Sequence, residues 1–546
     1  MDAASVDFIV VGAGSAGCAV ASRLSENPAH RVLLLEAGPA DDRLEIRIPA
    51  AFSKLFRSPM DWSYDTEPQP QLNNRSIYWP RGKVLGGSSS INAMMWIRGF
   101  PEDYDEWAEL AGESWSWKAL LPYFRKVERV ERVERVERVE RVERVEGTSG
   151  DETGHAGAIH IESQRSPRAS TAAFLEAARE IGLHEMVANG PVHDGVSRTM
   201  VNQHRGVRFS AADGYLKPAR RRRNLIIQTD SHVTRVLFEG TRAVGVEYVR
   251  DGVTATARAD REVILSGGSV NTPQLLMLSG IGDRDELQAH GIPVVAESPE
   301  VGKNLKDHLV VGLIVEAHDD TLFAAERAGQ LAKYLVSRKG MLTSNVAEAY
   351  GFVKSDPGLD LPDVELIFAP VAFIDQGLTP HTAHGLTIGT ILLRPESSGT
   401  VSLASADPFD KPRIDPRYLS DPDGKDRAAL MFGLGVCEDL VASEAIGRVS
   451  SRRFIRPVDS DRMSRAERDA LAIDEYSHTL YHPVGTARMG SDTGSVVDEE
   501  LRVRGVEGLR IADASVMPAI IHGHTNAAAI VIGERAADLI AQGARV

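Results

Sequence analysis

A β-α-β nucleotide fingerprint near the N-terminus constrains this chain more than any other feature. Residues 8–11 (FIVV) form a short apolar, β-branched run that reads as a buried strand. Gly12, Gly14 and Gly17 follow with the spacing G-x-G-x-x-G, enclosing Ser15 and Ala16, and residues 18–24 read as a helix. Residues 31–35 read as a second buried strand, ending at Glu36. The first glycine allows the tight turn, the second admits a pyrophosphate close to the backbone, and the third lets helix and strand pack. An acid about 20 residues on accepts from ribose hydroxyls. An acid where a 2′-phosphate would sit disfavours NADP. The pattern predicts an α/β fold.

A second glycine-rich segment covers residues 82–99, GKVLGGSSSINAMMWIRG. Gly86 and Gly87 lack a Cβ, so the backbone there can approach a flat or anionic ligand. Ser88, Ser89 and Ser90 supply hydroxyls and N–H groups at the expected start of a helix, a place suited to phosphate. Alone this could be any Gly/Ser loop. Its weight comes from following an independent nucleotide signal.

A chain of 546 residues exceeds what one hydrophobic core usually serves, so two domains are expected. The net charge of −15 argues against nucleic acid or an anionic membrane as partner. Cys18 and Cys437 are the sole cysteines, too few for a disulfide framework or a cysteine-rich metal site. The N-terminus runs almost at once into the first strand, leaving no room for a signal peptide, and no apolar run reaches membrane-spanning length. A cytoplasmic protein is expected.

Residues 127–146 break the pattern, with six copies of Val-Glu-Arg followed by Val-Glu. Glu128 and Arg132 have the i,i+4 spacing of a solvated helix. The valine stripe precesses by about 60° per repeat, so it cannot bury one fixed face. A tandem expansion in a surface connection is the expectation, without functional residues. Beyond it, residues 208–229 read as a helix then a strand, 232–238 and 243–249 as paired strands, and 261–265 as another buried strand. Residues 311–470 carry mixed signals and no nucleotide motif, and are expected to shape a substrate pocket.

At this level of detail the chain resembles the glucose–methanol–choline (GMC) family of flavin oxidoreductases. Residues 82–105 match its first signature, including Asn92, Trp96, Gly99 and Asp105. Residues 268–282 (GSVNTPQLLMLSGIG) match the second, 301–308 (VGKNLKDH) resemble its G-x-N-L-x-D-H segment, and 481–540 resemble its C-terminal end. The resemblance implies FAD rather than NAD. It implies a discontinuous Rossmann-like FAD-binding domain (1–160, 200–310 and 475–546) and an α+β substrate domain on an antiparallel sheet (161–199 and 311–474). Carried over by position, Gly12, Gly14, Ser15, Ala16 and Gly17 would hold the pyrophosphate and Glu36 the adenosine ribose. Val233 would meet the adenine. Val84, Ser88, Asn92, Ala93, Met94 and Met95 would line the pyrophosphate and flavin ring, with Asp513 and Ala514 closing the site. Some members carry a flavin-bonded histidine at the position of Ile91; isoleucine has no nucleophile, so noncovalent FAD is expected.

The C-terminal matches hold two histidines, in YHPVGTARMG (481–490) and GHTNA (523–527). The family pattern places His482 at the catalytic position and His524 at the second active-site position, which is histidine or asparagine among members. Alcohol oxidation needs the hydroxyl proton removed, and histidine suits this because its ordinary pKa lies near neutrality. His482 is expected as general base, with His524 orienting the alcohol and stabilising the developing alkoxide. His478 and His522 match no catalytic position and are expected to be structural, and no metal site is expected. The resulting expectation is FAD-dependent oxidation of a primary alcohol to an aldehyde, with O2 or a quinone as electron acceptor. Choline dehydrogenase is the alternative within the class. A hydroxynitrile lyase on the same fold and a non-catalytic flavoprotein lie outside it. Oligomeric state is not legible.

Overall fold

The strand β1 (Val6–Val11), helix α1 (Ser15–Leu24) and strand β2 (Val32–Leu35) form where the sequence pattern places them. The computed structural model describes residues 5–131, 153–380 and 382–543. β2 is buried throughout and β1 at all but Asp7, as expected for strands covered on both faces. They lie centrally in a seven-stranded sheet, with Leu225–Gln228 beside β2 and Val253–Leu265 beside β1, all parallel. The strand Val253–Leu265 is longer than the run predicted at 261–265. Its first half pairs antiparallel with Arg242–Arg250, which pairs with Ser231–Glu239. Its second half pairs with β1 and with Leu509–Ile511. That last pairing brings the C-terminal region back to the first glycine loop.

A second seven-stranded sheet is antiparallel throughout. Its order is Ser450–Arg456, Leu309–Ala317, Gly385–Leu392, Val364–Ala369, Ala349–Val353 and Gly195–Arg198, with His478–Thr479 also paired to Leu309–Ala317. Alternating residues separate its faces. Val311, Leu313, Leu366, Phe368 and Ile388 pack with Leu430, Leu434 and Cys437 of the helix Lys425–Ala442. The opposite face presents Val310, Gly312, Ile314, Ile367, Ala369 and Gly389 to an internal cavity. The molecule is thus a mixed α/β protein in which a largely parallel sheet and an antiparallel sheet share one cavity.

Two local expectations are corrected. The segment 82–99 does not start an α-helix; Gly87–Ser90 is a single 3-10 turn, entered with Gly86 at φ +88° and Gly87 at φ +53°. The first Val-Glu-Arg copies are not a solvated helix either. The helix Trp117–Val127 ends there, and Glu128–Glu131 is a strand parallel to Ile159–Ser163. Glu128 is buried, accepting from Trp96 Nε1 at 2.9 Å and from Arg98 Nε at 2.6 Å. Arg98 is itself buried, and this charged partner overrides the surface periodicity. The repeat from Arg132 onward lies outside the described residues. Among the described residues, no helix is long and apolar enough to cross a membrane.

Candidate active site

The two glycine loops touch. Gly12 sits at φ +98°, and a Cβ there would lie 2.5 Å from the Ser266 carbonyl oxygen, so the turn out of β1 has no room for a side chain. Gly87, also left-handed, brings the second loop against the first: its Cβ would lie 2.7 Å from Gly14 Cα. Gly86 N–H donates to the Ala13 carbonyl at 2.8 Å and locks this contact. The first turn of α1 has no side-chain cap, so its N–H groups face the junction unpaired by any capping group. Glu36 closes the far side, accepting from Ala13 N–H at 2.8 Å and Gly38 N–H at 2.9 Å. Burial pushes its carboxyl up to about 7.

One continuous cavity of about 500 Å³ runs from this junction to the antiparallel sheet. Gly12, Gly14, Ser15, Ala16, Glu36 and Val233 line one end. Ser88, Asn92, Ala93, Met94, Met95, Asp513 and Ala514 also line it, and His482 and His524 reach it beside the antiparallel sheet, bonded to His308 and to Glu365 of the strand Val364–Ala369. Gly17 and Val84 are not on the wall. Gly17 seats α1 against the turn, since a Cβ there would lie 2.0 Å from the Gly12 carbonyl oxygen. Val84 is fully buried in an apolar cluster with Phe56, Tyr78 and Ile91. Asp513 reaches the wall with its carboxylate already saturated, by Gly268 N–H, Ser515 N–H and the hydroxyls of Thr272 and Ser515 at 2.5–2.8 Å. What it can offer a ligand is backbone.

The histidines form a defined proton-bearing array. His308 Nε2 lies 3.1 Å from the Leu393 carbonyl oxygen, which can only accept, so this nitrogen carries the proton. Burial, reinforced by His524, lowers the His308 pKa to about 3 and keeps the ring neutral. Its Nδ1 is therefore an acceptor, and His482 Nδ1, 2.9 Å away, donates to it. His482 Nε2 is left with its lone pair and no partner among the described residues. Burial first, then His524 and His308, hold His482 well below the ordinary histidine range. Its backbone N–H donates to Asp307 at 2.8 Å. His524 lies with its ring centroid 4.6 Å from that of His482, at 66°, and donates from Nε2 to Glu365 at 3.1 Å. Tyr481, just before His482, holds φ +72°, fixed by Thr479 Oγ1 on its N–H and by Arg81 on its carbonyl. A left-handed non-glycine residue costs about 1–3 kcal/mol, and here it aims the neighbouring imidazole.

The N-terminal and C-terminal models of the GMC oxidoreductases match residues 6–310 and 395–533. The chain belongs to the GMC oxidoreductase family. An uncharacterised GMC-type oxidoreductase of Mycobacterium tuberculosis is 56% identical over 98% of this chain and 99% of its own. The alcohol dehydrogenase [acceptor] of Pseudomonas putida is 41% identical over 98% and 95%. Mouse mitochondrial choline dehydrogenase is 42% identical over 98% and 89%. A solved structure of Aspergillus oryzae formate oxidase, from work on modification of its FAD, superposes with a TM-score of 0.89 at 31% identity, covering 100% of this chain and 99% of that one.

GMC oxidoreductases bind FAD, and the cavity of this member fits such a group. Residues of its wall carry four buried polar atoms without a partner among the described residues, Asn526 Nδ2, Tyr481 Oη, Gln376 Oε1 and Ser477 Oγ. Asn526 accepts from Ser15 Oγ at 2.7 Å through its own oxygen, so its amide donors remain for a ligand beside the pyrophosphate loop. Sequence reasoning missed Asn526, His308 and Glu365 as members of this GMC site. His308 stood in a quoted motif without a role, and Glu365 carried no local signal. His478, expected to be structural, lies on the cavity wall, where burial lowers its pKa to about 4. His522 is tied to Asp103 at 2.5 Å, away from the cavity wall.

Proposed function

We propose that this GMC oxidoreductase oxidises a primary alcohol to an aldehyde with FAD held noncovalently. The observation that carries the reading is the tautomer of His482: a neutral imidazole with a free Nε2, beside His524, in a cavity continuous with the nucleotide loop. Bound FAD would supply the two-electron acceptor, its N5 taking the carbinol hydride. Gly12, Gly14 to Gly17, Ser88 and Asn526 would hold the pyrophosphate, Glu36 the ribose and Val233 the adenine, with Asn92 to Met95 against the ring. Ile91, buried and apolar, offers no covalent link. The domain division expected from sequence accompanies this reading, the antiparallel sheet supplying the substrate side.

His482 Nε2 accepts the hydroxyl proton as the carbinol hydride leaves. The proton on Nδ1 stays shared with His308, which fixes the ring's orientation. His524, held by Glu365 through Nε2, orients the alcohol and stabilises the developing alkoxide by hydrogen bonding. Val310, Ile314, Ile367 and Ala369 form an apolar floor that excludes water and favours an uncharged, apolar-substituted alcohol. The aromatic side chains Phe52, Phe56, Phe373 and Tyr481, which contact one another on the same cavity wall, favour choline as the second reading, since ring faces attract a quaternary ammonium.

The test is an anaerobic screen of flavin reduction across benzylic, aliphatic and amino alcohols, followed by admission of air. Bleaching by uncharged primary alcohols supports the reading, and reoxidation in air identifies an oxidase. Reduction by choline alone would replace it with the choline reading. A flavin that no alcohol bleaches would point to the lyase.

A further inference from the structure

The helix Ala328–Ser337 turns its apolar stripe away from the protein. At 100° per residue Ala328, Leu331, Ala332, Leu335 and Val336 fall within one arc of about 140°. Such a stripe normally packs inward. Here Tyr334 is the one buried residue of the helix, and Leu331, Leu335 and Val336 are 39%, 50% and 89% exposed. Phe323, in the preceding turn Leu322–Glu326, is also 39% exposed.

The charge around this stripe is opposite to that of the chain. Residues 327–339 contain Arg327, Lys333, Arg338 and Lys339 and no acid, within a protein of net charge −15. No ion pair joins these four to another described residue. Glu326, the nearest acid in the sequence, is paired with Lys54 at 2.7 Å. The helix is nonetheless anchored: Tyr334 Oη donates to the Arg47 carbonyl at 3.0 Å, and Arg338 lies over the Tyr334 ring at 4.7 Å.

We propose that this helix docks the protein on an anionic lipid surface. Leu331, Leu335, Val336 and Phe323 enter the boundary between headgroups and acyl chains, while the four cations meet lipid phosphates. The overall negative charge opposes approach at long range, but the Debye length in physiological salt is about 8 Å, so a lipid surface senses the charges beside it rather than the total. A second copy of the chain fits this face less well, because it would set four cations against four. The turn Met341–Thr343 then leads from the helix to Val346 on the cavity wall, so the docking face adjoins the site described above.

Co-sedimentation of the FAD-loaded protein with vesicles tests this. Binding is expected to phosphatidylcholine vesicles containing 30 mol% phosphatidylglycerol (about 30%, in the range where anionic charge dominates), at least about tenfold tighter than to phosphatidylcholine alone, and to weaken as salt rises. The triple variant Leu331→Ser, Leu335→Ser, Val336→Ser and the double variant Lys333→Glu, Lys339→Glu should each lose about tenfold or more in vesicle binding while keeping their flavin spectrum. Failure of the wild type to bind the anionic vesicles at low salt would overturn the proposal, as would variants that bind like wild type. A dimer in light scattering that the triple variant dissociates would assign the face to self-association instead.

Discussion

Glu365 accepts a hydrogen bond from His524 Nε2 at 3.1 Å, both side chains buried, and its second oxygen has no partner among the described residues. The carboxylate orients the imidazole through this bond. Glu365→Gln keeps the shape and removes the charge. Flavin reduction by a primary alcohol should slow by about 10- to 100-fold in this variant, within the range seen when a supporting hydrogen-bond partner is removed. FAD content should not change. Anaerobic stopped-flow spectroscopy reads the rate, and the flavin absorbance of the purified protein reads the content.

His308 acts through His482 and touches no reacting atom. His308→Leu leaves His482 Nδ1–H without its acceptor and frees the ring to adopt the other tautomer. Loss of a tautomer-fixing partner costs up to about 10⁴-fold in the serine proteases. A neutral partner here should cost on the order of 10²-fold in the reduction rate, again with FAD retained. An unchanged rate would remove His308 from the account.

Several buried histidines make the fold sensitive to acid. Burial lowers the pKa of His232 to about 4, of His308 to about 3 and of His478 to about 4, and lowers His482 further still. Each titrates near 6.5 when unfolded. Between about pH 6.5 and these folded values the unfolded state binds more protons, so stability falls as pH falls through that window. Buried Glu36, Asp307 and Asp469, raised to about 7, 6 and 7, work in the opposite sense over the same range, so the melting curve alone does not isolate the rings. NMR titration of the folded protein does: the four imidazoles should remain neutral at about pH 5, and rings protonated by about pH 6 would contradict the neutral assignment.

Gly87→Ala tests the contact between the two loops. A methyl group at φ +53° would lie 2.7 Å from Gly14 Cα, a backbone atom that cannot yield without moving the pyrophosphate turn. FAD affinity should fall by about tenfold or more, roughly the cost of a strained left-handed alanine with a clash. Fluorescence titration of the flavin-free protein measures it.

What could be read in the sequence was what is local. β1, α1 and β2 are short, contiguous and apolar, so their period and glycines specify them before any tertiary contact forms. His482 and His524 came through family resemblance, and the cavity brings them together with 13 of the 15 expected cofactor residues, leaving out Gly17 and Val84. What stayed hidden depends on pairing across the chain. His308 reaches His482 over 174 residues, and Glu365 reaches His524 over 159. Both depend on strand register in the antiparallel sheet, which no local pattern encodes. Glu128 shows the converse, since its repeat reads as surface until Arg98 supplies a buried partner. The second glycine loop was misread as a helix start because two successive left-handed glycines tighten it into one 3-10 turn.

The central claim is that His482 Nε2 takes the alcohol proton. Single-turnover flavin reduction under anaerobic conditions, in wild type and His482→Ala, tests it most directly. The account predicts that the variant keeps its FAD and loses at least about 10²-fold in the reduction rate, the lower end for removal of a general base. Reduction at the wild-type rate by FAD-loaded His482→Ala would contradict it.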